Sequence, residues 1–524
     1  MYRNLGIFLV LVGVGSVAAH HAGLALPSLH WFFGFESKDA ELVDASWWKK
    51  NQALVVGYVL SGLVVLGGVL SLLKSGRGAH RNPQTIRKIQ RFKSIGRGYL
   101  SLIILSTLLF LALLGQVLVG KRALVVNYEG QIYVPALSQE TYTDEDFGGE
   151  AKSEVDYRKL KKRFKEEGKG NWLLLPLVPF DPTFDSEEEI RSSLESRDGV
   201  FHREGEGEPY TGLSYRFYAD EPKKRHSMVK FRAGLQQGRE EYYDRNGDLA
   251  GVYKWTDGIR EADPIMGADR VEAVEAEETT NLLAVRYPPL PPSLKTRHLL
   301  GTDSRGWDVL AQLFGGLQVV FQAAMIYLVI TYSVGVTLGC LMGYLGGRFD
   351  IVTQRFIEVL ANVPFLYVVI IIADRIGRDN INLVTILLVI CIFSWIHITY
   401  YMRTATYKEK ARDYVAAARV LGAGPFRVIF RHVLPNAIST LVTLLPFSVA
   451  AIITALTALD FIGFGLPDTY PSWGRLLADG VSNLDSPWIV ASVFSGMVAV
   501  LLLVTFVGEA VREAFDPKKF TTYR

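Results

Sequence analysis

Residues 413–436 read Asp413-Tyr-Val-Ala-Ala-Ala-Arg-Val-Leu-Gly-Ala-Gly-Pro-Phe-Arg-Val-Ile-Phe-Arg-His-Val-Leu-Pro-Asn436. Ala416, Ala417 and Ala418 predict a helix of small residues that another surface can approach closely. Gly422 to Pro425 break it, and a basic amphipathic helix follows. That second helix is expected to end at Pro435, which has no N–H to continue the ladder. A short helical projection of this kind suits docking into a groove on a partner protein.

Outward from it, the apolar residues gather in nearly uncharged blocks. A bilayer core of about 30 Å calls for roughly 20 apolar residues in a helix. Eight stretches of the 524 residues qualify: 5–26, 52–73, 99–119, 317–341, 351–373, 383–402, 437–459 and 488–507. Backbone in lipid must satisfy its own hydrogen bonds, so each is read as a helix. The fold class is an all-α polytopic membrane protein of about eight transmembrane helices, carrying a mainly β extracytoplasmic insert. Arg3, an apolar core and the small residues Ser16 to Ala19 also fit a signal peptide. The length of the run and His20-His21 favour a retained helix.

Charge placement orients the chain. Residues 74–98 carry Lys74, Arg77, Arg81, Arg87, Lys88, Arg91, Lys93 and Arg97 and no acid, and residues 403–432 carry seven basic residues against Glu409 and Asp413. By the positive-inside rule both are cytoplasmic. Both termini then fall inside and 120–316 falls outside. The net charge of +3 singles out no partner, and topology accounts for the basic runs without nucleic acid.

Four regions follow. Residues 1–98 hold two extra helices and a basic linker, and 99–119 form the first core span. Residues 120–316 form a periplasmic domain, with a β-hairpin insert at about 181–286. Residues 317–524 hold five spans, with cytoplasmic coupling helices at 404–432. In the insert, Phe231 to Leu235, Gly238 to Gly247 and Val252 to Gly258 alternate aromatic or β-branched residues around Asn-Gly and Asp-Gly turns. The pattern resembles MORN-type hairpin repeats, and it equally fits an ordinary antiparallel sheet. Pro288 to Pro292 reads as a stiff linker back to the membrane.

No catalytic or metal constellation emerges. Gly115 to Lys121 has phosphate-loop spacing but is followed by Arg122 rather than the hydroxyl that would hold magnesium. No zinc-type Cys/His spacing occurs. Cys340 and Cys391 lie in predicted spans and read as small core residues. Arg355 and Glu358 share a helical face and are expected to pair with each other or to line a pathway. Asn362 and Pro364 are candidates for a lumen-facing kink in the 351–373 helix, and with His397 they are candidates for pore-lining positions.

The 413–436 stretch resembles the Glu-Ala-Ala loop of ABC importer permeases. Ala417, Ala418, Gly422, Leu434 and Pro435 match, whereas Ala416 and His432 depart from it. Arg431 to Asn436 resembles the variant of the dipeptide/oligopeptide/nickel permeases. Leu300 to Leu310 is similar to a Gly-Thr-Asp segment of that branch. Gly335, Gly339 and Gly343, with Gly346, Gly347 and Asp350, are similar to its glycine-rich span and turn. Glycines four apart make a smooth stripe for close helix packing. Leu459 to Pro467 and Pro471 to Gly474 are similar to its external loop. Residues 128–135, 147–149, 170–179 and 508–512 resemble the Yej subgroup, which takes up microcin C and peptides.

The resemblance implies a type I importer core, with a short peptide or peptide-like substrate moved from periplasm to cytoplasm across the bacterial inner membrane. The subunit itself would be non-catalytic and bind no cofactor, with ATP and magnesium used by partners. Those partners would be a homologous second permease, two ATP-binding subunits or one fused ATPase, and a periplasmic solute-binding protein, all within membrane lipid. The ATPase-coupling residues would be Asp413, Ala416, Ala417, Ala418, Arg419, Gly422, Arg431, His432, Leu434 and Pro435. The rival reading is a membrane-anchored envelope protein whose insert binds protein or glycan, with transport lost.

Overall fold

A computed structural model describes residues 2–24, 33, 47–75, 83–149, 153–183, 190–204, 207–221, 224–286, 289–376 and 381–515. The chain divides into two compact units: Met1–Asp185 with Pro291–Gly301 and Trp307–Arg524, and Ser186–Leu290 with Thr302–Gly306.

The first unit begins with an antiparallel helical pair, α1 (Tyr2–His21) and α2 (Trp47–Ser75). Small residues let the two backbones meet, and the Ser16 and Ser61 hydroxyls share a 2.7 Å hydrogen bond. Helix α3 (Pro83–Ser94) is separated from α4 (Gly96–Leu114) by the single residue Ile95. Strands β1 (Val125–Tyr128), β2 (Gln131–Tyr133) and β3 (Trp172–Leu174) form an antiparallel sheet in the order β2-β1-β3. Helix α5 (Tyr157–Glu167) covers it, capped by the Asp156 carboxylate. Val126, Phe147, Leu160 and Phe164 close that small core.

The second unit is one antiparallel sheet with helix α6 (Ala268–Glu275) packed on it. Its strands are β4 (Ile190–Arg197), β5 (Val200–Arg203), β6 (Gly212–Phe217), β7 (Arg225–Arg232), β8 (Leu235–Tyr243), β9 (Leu249–Thr256), β10 (Ile259–Arg260) and β11 (Leu283–Arg286). Their order is β10-β9-β8-β7-β6-β11-β4-β5. The hairpins turn where the sequence placed them, at Asn246-Gly247 and Asp257-Gly258, and also at Ala233-Gly234. Asp257 and Gly258 both have positive φ, 47° and 81°, the two-residue turn that matches strand twist. The hairpins are therefore parts of one continuous sheet. Inside it Glu240 is buried; burial raises its carboxyl pKa, while the Trp255 indole donates to it at 2.7 Å.

The membrane core belongs to the first unit. Its helices are α7 (Val309–Leu345), α8 (Gly347–Ala361), α9 (Phe365–Ile376), α10 (Leu383–Lys410), α11 (Asp413–Val420), α12 (Pro425–Val428), α13 (Leu434–Phe461), α14 (Trp473–Ser482) and α15 (Pro487–Phe515). Among the described residues, five helical segments are long and apolar enough to span a bilayer: 96–114, 309–345, 383–410, 441–461 and 487–515. Helices α8 and α9 make a sixth if their bent pair counts as one. The remaining two of the eight expected stretches coincide with α1 and α2, whose apolar parts, Gly6–His21 and Leu54–Val69, are shorter.

The kink expected at Asn362 and Pro364 is a full break: the stretch 351–373 falls on two helices, bent by 76°. The Asn362 amide turns back on Glu358 O at 2.7 Å, and Pro364 has no N–H to carry the ladder across. One expectation is corrected: Pro435 does not end a helix. It sits in the first turn of α13, directly after a π-turn at Ile429–Val433. There the Leu434 N–H reaches five residues back to Ile429 O, and the widened turn accommodates the ring.

Candidate functional site: the elbow and its braces

The segment between α10 and α13 is an elbow built on local signals. Helix α11 ends at Val420 with Leu421 as its cap, and Gly422 follows with φ +81°. The Gly422 N–H bonds Arg419 O and the Ala423 N–H bonds Ala418 O, a Schellman closure that saturates the last carbonyls. No side chain crowds Gly422, so the demand for glycine there is conformational. Val415, Ala418, Val428, Ile429 and Val433 form the buried side of the elbow, against Cys340, Met402, Ala437 and Leu441 of the long helices.

That burial sorts the residues singled out in sequence. Asp413, Ala416, Ala417, Arg419, Gly422, Arg431 and Pro435 are exposed, and His432 and Leu434 are half-buried. Ala418 points into the core and offers nothing to a partner, a correction to the reading of the alanine run as one docking surface. The tip instead presents apolar side chains that sequence reasoning passed over: Val420 and Leu421 are 87% and 86% exposed, and Phe426 and Phe430 are 68% and 53% exposed. Their signal was large apolar residues inside a basic loop.

Two tyrosines tie the elbow to the bundle. Tyr344, at the end of α7, accepts a 3.2 Å hydrogen bond from Arg419 Nε, and that guanidinium lies 4.9 Å from its ring centroid. Lys410 Nζ donates to Tyr344 O at 2.5 Å. Tyr414, on α11, donates to Glu409 at 2.6 Å and accepts from the Asn436 amide at 3.1 Å. Burial and the Glu409 carboxylate raise the pKa of its phenol, so it remains a donor. Arg419 is thus turned toward α7.

A third brace went unread in sequence. Arg403 of α10 grips Asp350 of α8 with two hydrogen bonds, 2.6 and 2.7 Å, and the Tyr407 hydroxyl adds a third at 2.5 Å. The fork-to-fork geometry fixes direction as well as distance. Close by, Gly335, Gly339 and Gly343 let α7 lie directly on α10. A Cβ on Gly339 would come within 2.6 Å of Met402 Cβ and Thr399 O, and one on Gly343 within 2.6 Å of Arg403 O.

At the opposite ends of the spans, Asp460 staples the loop that follows α13. It accepts from Leu466 N at 2.6 Å and from the Ser472 hydroxyl at 2.5 Å. Arg475 donates to the Leu466 and Tyr470 carbonyls, and the Trp473 indole to Leu313 O at 2.9 Å. Asp308, fully buried, caps α7 through Ala311 N and pairs with His298 at 2.9 Å.

The candidate pore positions are dispersed. His397 is exposed on α10, while Asn362 and Pro364 lie at the α8–α9 bend. Arg355 and Glu358 pair with each other at 2.6 Å. Among the described residues no group of three or more His, Cys, Asp or Glu is placed to hold a metal ion.

Residues 335–521, which include the elbow and its braces, match the family model of the binding-protein-dependent transport system inner membrane component. The chain is 30% identical to the peptidoglycan transport system permease protein YejE of Agrobacterium fabrum, over 84% of this chain and 94% of that protein. It is also 30% identical to the inner membrane ABC transporter permease protein YejE of Escherichia coli, over 82% of this chain and 96% of that one. The chain belongs to this permease family. As an ABC permease it is a multi-pass inner-membrane protein and a non-catalytic subunit, working in a complex with ATPase and binding-protein partners. The oligopeptide transport system permease protein OppC of Lactococcus lactis is 34% identical over 44% of this chain and 78% of its own length. The permease here is therefore matched much further along its length by the Yej relatives.

Proposed function

We propose that this permease moves short peptides or peptide-like compounds from periplasm to cytoplasm, and that its elbow is where the ATPase docks. The observation that carries the docking is the apolar tip, Val420, Leu421, Phe426 and Phe430, exposed on an elbow whose other side is packed into the long helices. An apolar knob with a basic surround, here Arg427 and Arg431, fits a groove on a partner. Asp413, Ala416, Ala417, Arg419, Gly422, Arg431, His432, Leu434 and Pro435 then shape and hold the elbow, and Asn362, Pro364 and His397 face the pathway. The assembly is this chain, a homologous second permease, two ATP-binding subunits or a fused ATPase, and a periplasmic solute-binding protein. ATP and magnesium are bound by the partners, and this chain takes no cofactor.

In this reading α1 and α2 also cross the bilayer, giving eight spans with both termini cytoplasmic and the second unit periplasmic. The end of α1 supports it. The Gln139 N–H bonds Gly23 O at 3.0 Å, which sets that end beside the segment following α4. Alternation from there places the elbow and the basic 74–98 run on one side, as positive-inside requires.

The test is purification in mild detergent of the wild-type chain and of a Leu421→Asp, Phe426→Asp variant. Co-purifying ATPase and second permease, with the ATPase lost from the variant, is the expected outcome. Reproducible absence of both from the wild type would favour the envelope-anchor reading.

A further inference from the structure

Helix α3 is a second amphipathic surface, separate from the elbow and its braces. Ile86, Ile89 and Phe92 recur three apart and form one stripe, while Arg87, Lys88 and Arg91 occupy the other side. Ile86 and Ile89 are 37% and 44% exposed. No acid occurs anywhere in residues 74–98.

Its position decides what the stripe meets. Only Ile95 separates α3 from the span α4, so its last turn lies at the level where that span begins. Gly98 of α4 lies directly against Ala510 of α15, and Arg97 pairs with Glu509 at 3.5 Å. Lys88 Nζ stands 4.7 Å from the Phe515 ring centroid. These contacts hold α3 at the ends of two membrane-spanning helices. A helix at that depth with an apolar stripe and a basic face lies in the interfacial plane.

We propose that α3 binds the headgroups of anionic phospholipids in the cytoplasmic leaflet. Ile86 and Ile89 enter the acyl boundary, Arg87, Lys88 and Arg91 take the phosphates, and Lys93, on the apolar side, reaches them along its flexible stem. Charge complementarity selects the occupant: clustered basic residues beside a span attract anionic lipid, within a Debye length of the surface. The proposal rests on the membrane reading of α4 and α15 and is independent of the substrate and of the ATPase.

The experiment titrates the detergent-solubilised full-length chain with dioctanoyl phosphatidylglycerol, dioctanoyl phosphatidylcholine or inorganic phosphate, and reads adducts by native mass spectrometry. The wild type is expected to prefer phosphatidylglycerol to phosphatidylcholine by at least about tenfold at low salt, a preference that shrinks at 0.5 M salt as charges are screened. The combined variant Arg87→Gln, Lys88→Gln, Arg91→Gln, Lys93→Gln keeps helix-forming residues and is expected to lose about tenfold of that preference. Arg87→Lys with Arg91→Lys preserves charge and is expected to retain it.

Equal preference in wild type and quadruple variant overturns the proposal. So does displacement of the lipid by millimolar inorganic phosphate, which identifies a free-phosphate site instead. Loss of co-purifying ATPase from the quadruple variant with lipid preference intact also overturns it, by making α3 a protein contact. Failure to co-purify ATPase with the wild type bears only on the importer reading and leaves the lipid titration decisive.

Discussion

At the residue scale, the Asp350–Arg403 pair joins two elements 53 residues apart in sequence. Its Asp350 side chain is 8% exposed and that of Arg403 28%, so removing one partner strands a poorly solvated charge. Arg403→Ala is expected to cost about 2–4 kcal/mol, less than the sum of its contacts, because water reaches the guanidinium. A double-mutant cycle with Asp350→Ala, measured by unfolding in mixed micelles, is expected to give a coupling of about 1–3 kcal/mol. Strict additivity would remove the pair as a brace. Neither partner is legible as such in the sequence: Asp350 reads as part of a turn motif and Arg403 as one charge of a basic loop, and nothing local pairs residues so distant in sequence.

Glu240 poses the opposite electrostatic problem. Burial raises its pKa above the ordinary carboxylate value, so its contribution to stability is complete below that value and is lost as pH rises through the folded one. Glu240→Gln removes this penalty and can keep an oxygen for the Trp255 indole. Hydrogen-exchange protection of residues 235–256 is expected to match wild type near pH 4 and to exceed it at pH 7.5. A difference independent of pH would remove burial of charge as the cause.

At the scale of elements, the elbow's turn was readable because Gly422 and Pro425 act locally. Its inner and outer faces were not. A run of three alanines carries no periodicity, so the inward turn of Ala418 depends on where Val415 and Val428 anchor the helix. Pro435 misled for a related reason: a proline stops a helix only when nothing absorbs the missing donor, and here the π-turn at Ile429–Val433 does. Gly422→Ala forces a Cβ into the left-handed region at about 1–2 kcal/mol. In proteoliposomes this change is expected to leave basal ATP hydrolysis in place while substrate transported per ATP falls several-fold; an unchanged ratio would count against the elbow as transmitter. The glycine stripe on α7 was legible from spacing alone. Gly339→Ala is expected to cost about 1–3 kcal/mol through the clash with Met402 and Thr399 O, read as a lower unfolding midpoint.

For the whole molecule, hydrophobic blocks gave the polytopic class, and aromatic or β-branched alternation around Asn-Gly and Asp-Gly gave the β-rich insert and two of its hairpin turns. The place of the bend between α8 and α9 is legible in Asn362 and Pro364, but its size is not, since average hydropathy does not register a change of direction. Topology is testable with little background because both native thiols, Cys340 and Cys391, are buried. In intact spheroplasts, an impermeant maleimide is expected to label Asp257→Cys and to spare Ala417→Cys until the membrane is permeabilised. The reverse pattern would invert the orientation.

The two tyrosine ties bear on how movement travels. With Tyr344 fastening the elbow to one long helix and Tyr414 fastening it to another, the elbow has no pivot of its own. A partner that shoves its tip must drag both rods at once, like a crank pinned at two points. On the proposed docking, cutting either pin leaves the knob gripped but slack and turns ATP's stroke into lost motion.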